Sequence, residues 1–133
     1  MQNTIDKFGP LVGRILLAAI FLISGIGKIG GFTGTAGYMA SKGLPMAEVL
    51  LAITIVIEIG AALMIIGGFK ARLGATALFL WMIPVTFLFH NYWAMPADQQ
   101  MIQQIMFMKN LGLMGGMLYI MAFGSGPMSI DKK

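Results

Sequence analysis

The chain has 133 residues, of which 58% are hydrophobic and 11% are charged, and its formal net charge is +4. Because soluble domains carry roughly 25% charged residues and small ones bury too little of their chain to hide so much apolar surface, this composition excludes an ordinary soluble domain. The basic residues are scattered singly, which excludes a basic face for nucleic acid, and the lack of cysteine excludes a disulfide or a thiolate-ligated metal site.

Four continuous apolar runs follow a short polar N-terminal segment. Each approaches the roughly 20 residues that a helix needs to cross a hydrocarbon core about 30 Å thick, and none alternates in the manner of a membrane barrel strand. The runs cover residues 10–29, 47–67, 73–89 and 105–123. The pattern predicts an all-α fold in which a single domain, residues 1–133, forms an integral membrane four-helix bundle.

The first run is expected to remain in the protein as a helix, because no Ala-x-Ala cleavage pattern follows it. It ends in Gly25-Ile26-Gly27-Lys28-Ile29-Gly30, which fits the G-x-G-x-x-G pattern of dinucleotide-binding folds. That pattern positions pyrophosphate only between a strand and a helix, whereas these glycines end an apolar helix. We interpret them, like Gly112-x-x-x-Gly116 in the fourth run, as positions of close helix packing.

The connections between the runs differ in character. Residues 30–46 are rich in glycine, and residues 35–42 within them are predicted to form a short helix at the membrane interface. Residues 68–72 form a tight turn, and residues 90–104 form a polar connection. Pro84 lies inside the third run and predicts a kink there, because proline removes a backbone hydrogen bond.

The distribution of Lys and Arg near the span ends predicts the orientation in the membrane. With four spans, both termini and the turn at residues 68–72 share one side. Outside the spans the opposite side carries Lys42, whereas this side carries Lys7, Lys70, Arg72, Lys132 and Lys133. We therefore predict that the N and C termini are cytoplasmic.

Ionisable and amide residues within or beside the spans are the clearest functional signal. A charge near the bilayer centre costs roughly 2.5–3.5 kcal/mol on insertion scales, and such residues usually face the bundle interior and pair with one another. Helical spacing places Arg14 and Lys28 on one stripe of the first helix, about 21 Å apart. The candidate ligand-binding cluster comprises Arg14, Lys28, Glu58, His90, Lys109 and Asn110.

Most of the cluster is predicted to lie in the outer half of the bundle, around Glu58, whereas Arg14 is placed toward the inner side, from which its long side chain could reach toward Glu58. Three cations and one carboxylate leave two cations unbalanced in a medium of low dielectric constant. Water entry, a lysine that loses its proton on desolvation, or an anionic or carbonyl-bearing ligand would resolve this excess. A purely structural alternative is that Glu58 pairs with one cation while Lys28, Lys109 and His90 extend to the interface.

The residue types and their spacing give little support for a metal site or for covalent catalysis. His90 is the single histidine, so it lacks the partners that zinc or bis-histidine haem ligation requires. Met114, Met117 and Met121 share a helix face, which flexible packing explains better than soft-metal binding. We predict no metal site and no intrinsic cofactor. We assign no catalytic residue, and we favour an accessory role over that of an enzyme acting alone.

Several short segments, taken in order, resemble the DoxX family of small bacterial membrane proteins. They are Arg14 with Ser24-Gly25-Ile26-Gly27-Lys28, Gly43-Leu44-Pro45, Glu58, Phe69-Lys70-Ala71-Arg72, His90-Asn91-Tyr92-Trp93 and Met108-Lys109-Asn110. The resemblance covers almost the whole chain and implies a multi-pass protein of the bacterial inner membrane. It also implies an association with quinone-dependent redox systems, while distant eukaryotic relatives act as cargo receptors or assembly chaperones.

Three functional hypotheses follow from the cluster and the resemblance. The first is a quinone- or lipophile-binding accessory subunit of a membrane redox system, with quinone or lipid as ligand and a redox complex as partner. The second is a non-enzymatic assembly, chaperone or interaction protein. The third is a small transporter, which would need a homo-oligomer because four helices enclose little space. The lipid bilayer is the expected environment in every case.

Overall fold

The structure, a computed structural model, describes residues 2–131 of the chain. Every regular element within these residues is helical. The elements are α1 (Gln2–Gly30), α2 (Phe32–Ser41), α3 (Ala47–Gly67), α4 (Ala71–Phe89), a single 3-10 turn (Tyr92–Ala94) and α5 (Ala97–Phe123).

Four of the described helices, α1, α3, α4 and α5, are long and apolar enough to cross a membrane, with mean hydropathy between 1.4 and 2.8. Their outward faces carry large apolar side chains such as Leu16 and Val56, each 71% exposed. Such faces are stable against lipid and unfavourable in water. This confirms the predicted all-α architecture with four spans. The cytoplasmic placement of the termini stays a prediction, and Lys132 and Lys133 lie outside the described residues.

Two helices begin earlier than the apolar runs indicated. α1 begins at Gln2 instead of residue 10, and the polar residues among residues 3–9 continue the helix with exposed side chains. α5 begins at Ala97 instead of residue 105. Pro96 precedes its first turn, and the carboxylate of Asp98 lies in that turn, where it complements the positive end of the helix dipole.

The spanning helices pack in the order α1, α3, α4 and α5, with the short helix α2 resting on α3. Small residues at the contacts allow close approach. A Cβ atom on Gly25 would lie 2.7 Å from Ile59 Cγ1, and one on Gly74 would lie 3.1 Å from the Ala61 carbonyl oxygen. The buried core between the helices combines alanines with larger apolar side chains, namely Ala18, Phe21, Ala61, Ala62, Ile65, Ala71, Ala75, Leu78, Met82, Met117 and Ile120.

The predicted packing motif in α5 is used only in part. A Cβ atom on Gly116 would lie 3.1 Å from Leu17 of α1, so this glycine faces a helix contact. Gly112 has no atom within 4 Å of such a Cβ position among the described residues. Only one of the two glycines therefore contributes to packing within the described chain.

The segment after α5, residues 124–131, folds back across one end of the bundle. The Ile130 and Asp131 backbone N–H groups each donate to the turn between α3 and α4, to the carbonyls of Gly67 and Gly68, at 3.0 Å. Gly68 adopts a φ of +69°, and a Cβ atom there would lie 2.1 Å from the Ser129 Cβ. Glycine is therefore required at this turn, both for its backbone conformation and for the close approach.

Candidate functional site

Arg14 binds backbone carbonyls at the end of the bundle that residues 124–131 cover. Its side chain is buried, with the residue 3% exposed. Nε donates to the Ile65 carbonyl at 3.0 Å, Nη1 to the carbonyls of Ser125 at 2.6 Å and Pro127 at 3.2 Å, and Nη2 to the Met128 carbonyl at 2.8 Å. The guanidinium thus joins α1 to α3 and to the C-terminal segment, and the structure does not bring it into the predicted cluster.

Apolar core separates Arg14 from the other cluster residues. Between Arg14 and Lys28, α1 presents Ala18 and Phe21 to the bundle interior, and both are buried. Ala62 of α3 and Leu78 of α4 are fully buried in the same core. The polar groups at the two ends of the bundle therefore belong to separate environments.

Lys28 of α1 and Glu58 of α3 form an ion pair. Lys28 Nζ lies 2.7 Å from Glu58 Oε1, and it also donates to Ser24 Oγ, one turn earlier in α1, at 2.6 Å. Glu58 is only 2% exposed, whereas the Lys28 side chain is 26% exposed. An ammonium group carries three hydrogens, so one hydrogen of Lys28 remains for a further acceptor. Gly25 allows this short bridge, because it brings α1 close to Glu58.

His90 ends α4 and contacts α5. Its Nδ1 atom lies 2.8 Å from Gln103 Oε1. Its backbone N–H donates to the Thr86 carbonyl at 3.2 Å, which fixes the last turn of α4. The imidazole is therefore held between two spanning helices.

Asn110 and Lys109 are neighbours in sequence with different environments. Asn110 is buried, and its Nδ2 donates to the buried Thr86 Oγ1 at 3.1 Å, which links α5 to α4. Lys109 is exposed, and its Nζ lies 3.5 Å from Met106 Sδ. It forms no ion pair with any residue that the structure describes.

Five of the six predicted residues line one cavity of about 130 Å³, which we call the polar cavity. These five are Lys28, Glu58, His90, Lys109 and Asn110. Ser24 and Trp81 also line it, and sequence reasoning missed them as site residues. The spacing of Ser24 four residues before Lys28 was the available signal for the first of these.

A second cavity of about 250 Å³, which we call the apolar cavity, adjoins the first. The two cavities share Lys28, Trp81, Val85 and His90. The rest of its lining is mostly apolar and includes Met39, Leu51 and Phe89. α2 covers this cavity, and the ring of Tyr38 stacks on Phe89 at a centroid distance of 5.7 Å. Gln103 also lines it and was not predicted as a site residue.

The structure removes the predicted charge excess from the polar cavity, and Arg14 is buried at the other end of the bundle, where backbone carbonyls bind it. Arg14 lies elsewhere, Lys28 is neutralised by Glu58, and Lys109 is exposed at the edge of the polar cavity. The purely structural alternative expected Glu58 to pair with a cation, which the structure shows, but it placed Lys28 at the interface, whereas Lys28 is the partner of Glu58. The cavities beside the pair are the feature that this alternative did not predict. Among residues 2–131, no group of three potential His, Cys, Asp or Glu ligands could hold a metal ion.

Comparisons with known proteins agree with the membrane architecture. A family model described as DoxX matches residues 9–91. Inner membrane protein YphA of Escherichia coli K12 is 36% identical over 123 residues, which are 92% of this chain and 88% of that protein. Inner membrane protein YqjF of the same organism is 38% identical over 133 residues, covering 98% of this chain and 95% of that protein.

A more distant relative is eukaryotic. The surfeit locus protein 4 homolog of Schizosaccharomyces pombe is 27% identical over 125 residues, which are 92% of this chain and 36% of that protein. No solved structure matches the chain significantly. The family match includes Lys28, Glu58 and His90, while Lys109 and Asn110 lie beyond its end.

Proposed function

The chain belongs to the DoxX family and is a multi-pass inner-membrane protein, and from this premise we propose that it binds a quinone, or a lipophile with similar oxygen groups, as an accessory subunit of a membrane redox system. The observation that carries the proposal is the placement of the Lys28–Glu58 ion pair and His90 around the polar cavity.

The charge balance of the polar cavity favours a neutral ligand. Lys28 and Glu58 neutralise each other at 2.7 Å, and Lys109 is exposed to the surroundings. An anion bound beside Glu58 would meet a carboxylate in a medium of low dielectric constant, which is unfavourable. A quinone is neutral, and its carbonyl oxygens accept hydrogen bonds from groups such as the remaining hydrogen of Lys28.

The two adjoining cavities favour a ligand with a polar ring and an apolar tail. Neither cavity, at about 130 and 250 Å³, reaches the roughly 300 Å³ of typical sites for drug-sized ligands. A ligand that spans both would place its oxygen-bearing ring near Lys28 and His90. Its tail would then contact Met39, Leu51 and Phe89 in the apolar cavity.

An accessory role follows from the side chains that the sequence offers. The chain has one histidine and no cysteine, so its own residues lack the second histidine of bis-histidine haem and the thiolates of an iron–sulfur cluster. Electron transfer to or from a bound quinone would therefore involve a partner protein that carries a redox group. The redox complex is thus part of the proposal.

The transporter hypothesis has weaker support. A transport path would need polar groups through the full depth of the bundle. Buried apolar residues, including Ala18, Phe21, Ala62 and Leu78, lie between Arg14 and the polar cavity. In the predicted orientation, the polar cavity would open in the outer half of the membrane only.

Extraction of bound ligand tests the proposal. The protein is purified from its native membrane in mild detergent, and bound molecules are identified by mass spectrometry. We expect a quinone in the wild type and at least about tenfold less in the double variant Lys28→Met with Glu58→Gln, because one charge-assisted hydrogen bond is worth roughly 1.5–3 kcal/mol. Arg72→Met, which removes an exposed charge elsewhere, is the control for quinone carried over with lipid.

The proposal fails if the wild type carries no quinone or related lipophile above the level of the double variant and also binds no added short-chain quinone in nanodiscs. A ligand-free protein that retains a stable protein partner would instead support the assembly hypothesis.

A further inference from the structure

His90 lines both cavities, and one of its ring nitrogens has a partner in α5. Its Nδ1 lies 2.8 Å from Gln103 Oε1, and a carboxamide oxygen can only accept a hydrogen bond. This placement of the Gln103 amide assigns the hydrogen to Nδ1, and the tautomer that it assigns leaves Nε2 as an acceptor. Nε2 forms no hydrogen bond with any described residue.

Glu58 adds a second acceptor to the same cavity. Its Oε1 accepts from Lys28 Nζ, and its Oε2 forms no hydrogen bond within residues 2–131. An ionised carboxylate has no hydrogen to donate. Lys28, Glu58 and His90 all line the polar cavity, so it is bordered by residues with two acceptor atoms that have no described hydrogen bond, His90 Nε2 and Glu58 Oε2, and by Lys28, which keeps one donor hydrogen.

This arrangement distinguishes the two redox forms of a quinone. A quinone has two carbonyl oxygens that only accept, so it can use the Lys28 donor but leaves His90 Nε2 facing another acceptor. A hydroquinone has two hydroxyl groups that both donate and accept. One hydroxyl can donate to His90 Nε2 or Glu58 Oε2, while an oxygen accepts from Lys28.

We infer that the site binds the hydroquinone form more tightly than the quinone form, and that Gln103 is the positioning residue that sets this preference through the tautomer of His90. This inference rests on the proposed function. The expected preference is about tenfold, which corresponds to the net effect of one or two hydrogen bonds.

Trp81 provides the measurement, because it lines both cavities. The chain has two tryptophans, so Trp93→Phe leaves Trp81 as the single fluorescent indole. A short-chain benzoquinone is titrated into this protein in nanodiscs, and its dissociation constant is obtained from fluorescence quenching. The corresponding hydroquinone is then measured by displacement of the quinone under anoxic conditions.

The decisive variant is Gln103→Glu in the same background. A carboxylate beside Nδ1 favours the imidazolium form, in which Nε2 also donates. We expect the tenfold preference for hydroquinone to disappear or reverse. Gln100→Glu adds the same charge one turn earlier in α5, where the native side chain contacts the Met95 carbonyl instead of His90, and should keep the preference.

The outcomes separate this inference from the proposed function. Measurable but equal binding of the two forms by the wild type, or an unchanged ratio in Gln103→Glu, would overturn the tautomer inference and leave quinone binding intact. If the wild type binds neither the quinone nor the hydroquinone, both the tautomer inference and the proposed function are wrong. If Gln103→Glu does not fold, Gln103→Met serves in its place, because loss of the acceptor allows Nε2 to carry the hydrogen and should reduce the ratio.

Discussion

Replacement of Lys28 by methionine is expected to lower the free energy of unfolding by about 3 kcal/mol, because it leaves the Glu58 carboxylate buried without its cation. Glu58 is 2% exposed and lies 2.7 Å from Lys28 Nζ. Removal of one partner from a buried pair typically costs about 3–5 kcal/mol. The lower end applies here, because the Lys28 side chain is 26% exposed and the pair borders a cavity.

The two partners should not be equivalent. Glu58→Gln leaves a lysine that can extend toward the interface, so its cost should be smaller, about 1–2 kcal/mol. The double variant Lys28→Met with Glu58→Gln should be more stable than Lys28→Met alone, because the Glu58 position no longer carries an unpaired buried charge. The same double variant should lose bound quinone, which separates the stability of the bundle from its ligand binding.

Denaturant or thermal unfolding in detergent micelles measures these differences, with Lys109→Met as the matched control. Lys109 lines the same cavity but is exposed and forms no ion pair with a described residue. Its replacement should change stability by less than about 0.5 kcal/mol. Equal effects of Lys28→Met and Lys109→Met would show that the ion pair does not stabilise the bundle.

Arg14→Met is expected to destabilise the bundle by about 3 kcal/mol and to release the C-terminal segment. The guanidinium donates four hydrogen bonds to backbone carbonyls, at 2.6 to 3.2 Å, and three of these carbonyls belong to residues 125–128. Hydrogen bonds from a charged group contribute roughly 1.5–3 kcal/mol each, and their effects are not additive. Pro127 and Met128 are exposed, so in the variant water can hydrogen-bond to their carbonyls and offset part of the lost stability.

Hydrogen exchange at residues 124–131 measures this release. We expect faster exchange in Arg14→Met than in the wild type, and only partial recovery in Arg14→Lys, because an ammonium group cannot reproduce the planar fork of guanidinium. Arg72→Met controls for the loss of a basic residue. Unchanged protection of the segment in Arg14→Met would contradict the assigned role. Quinone content should persist, because Arg14 does not line either cavity.

Much of the site could be predicted from charges at helical spacing. Glu58 lies mid-span, and a buried carboxylate in a membrane requires a partner. Lys28 and Glu58 come together because Gly25 brings α1 close to α3, and both the glycine and the charges are visible in the sequence. The sequence could not say which of three cations would form the pair, because that depends on the packing of α1 against α3.

The sequence does not predict the partners of Arg14 and His90, because these partners lie in segments without a hydropathy signal. Arg14 is held by carbonyls, which every residue carries, so nothing in residues 124–131 marks them as its partner. The sequence places Gln103 in the polar connection at residues 90–104, because the first turns of α5 are polar, although the helix begins at Ala97. The partner of His90 was therefore missed.

The most direct measurement is an experimental density map of the protein in lipid nanodiscs with a short-chain quinone. We expect ring density in the polar cavity, with an oxygen within hydrogen-bond distance of Lys28 Nζ and the tail directed into the apolar cavity beneath α2. A polar cavity that holds only water at saturating quinone, or a ligand bound at another surface, would contradict this expectation.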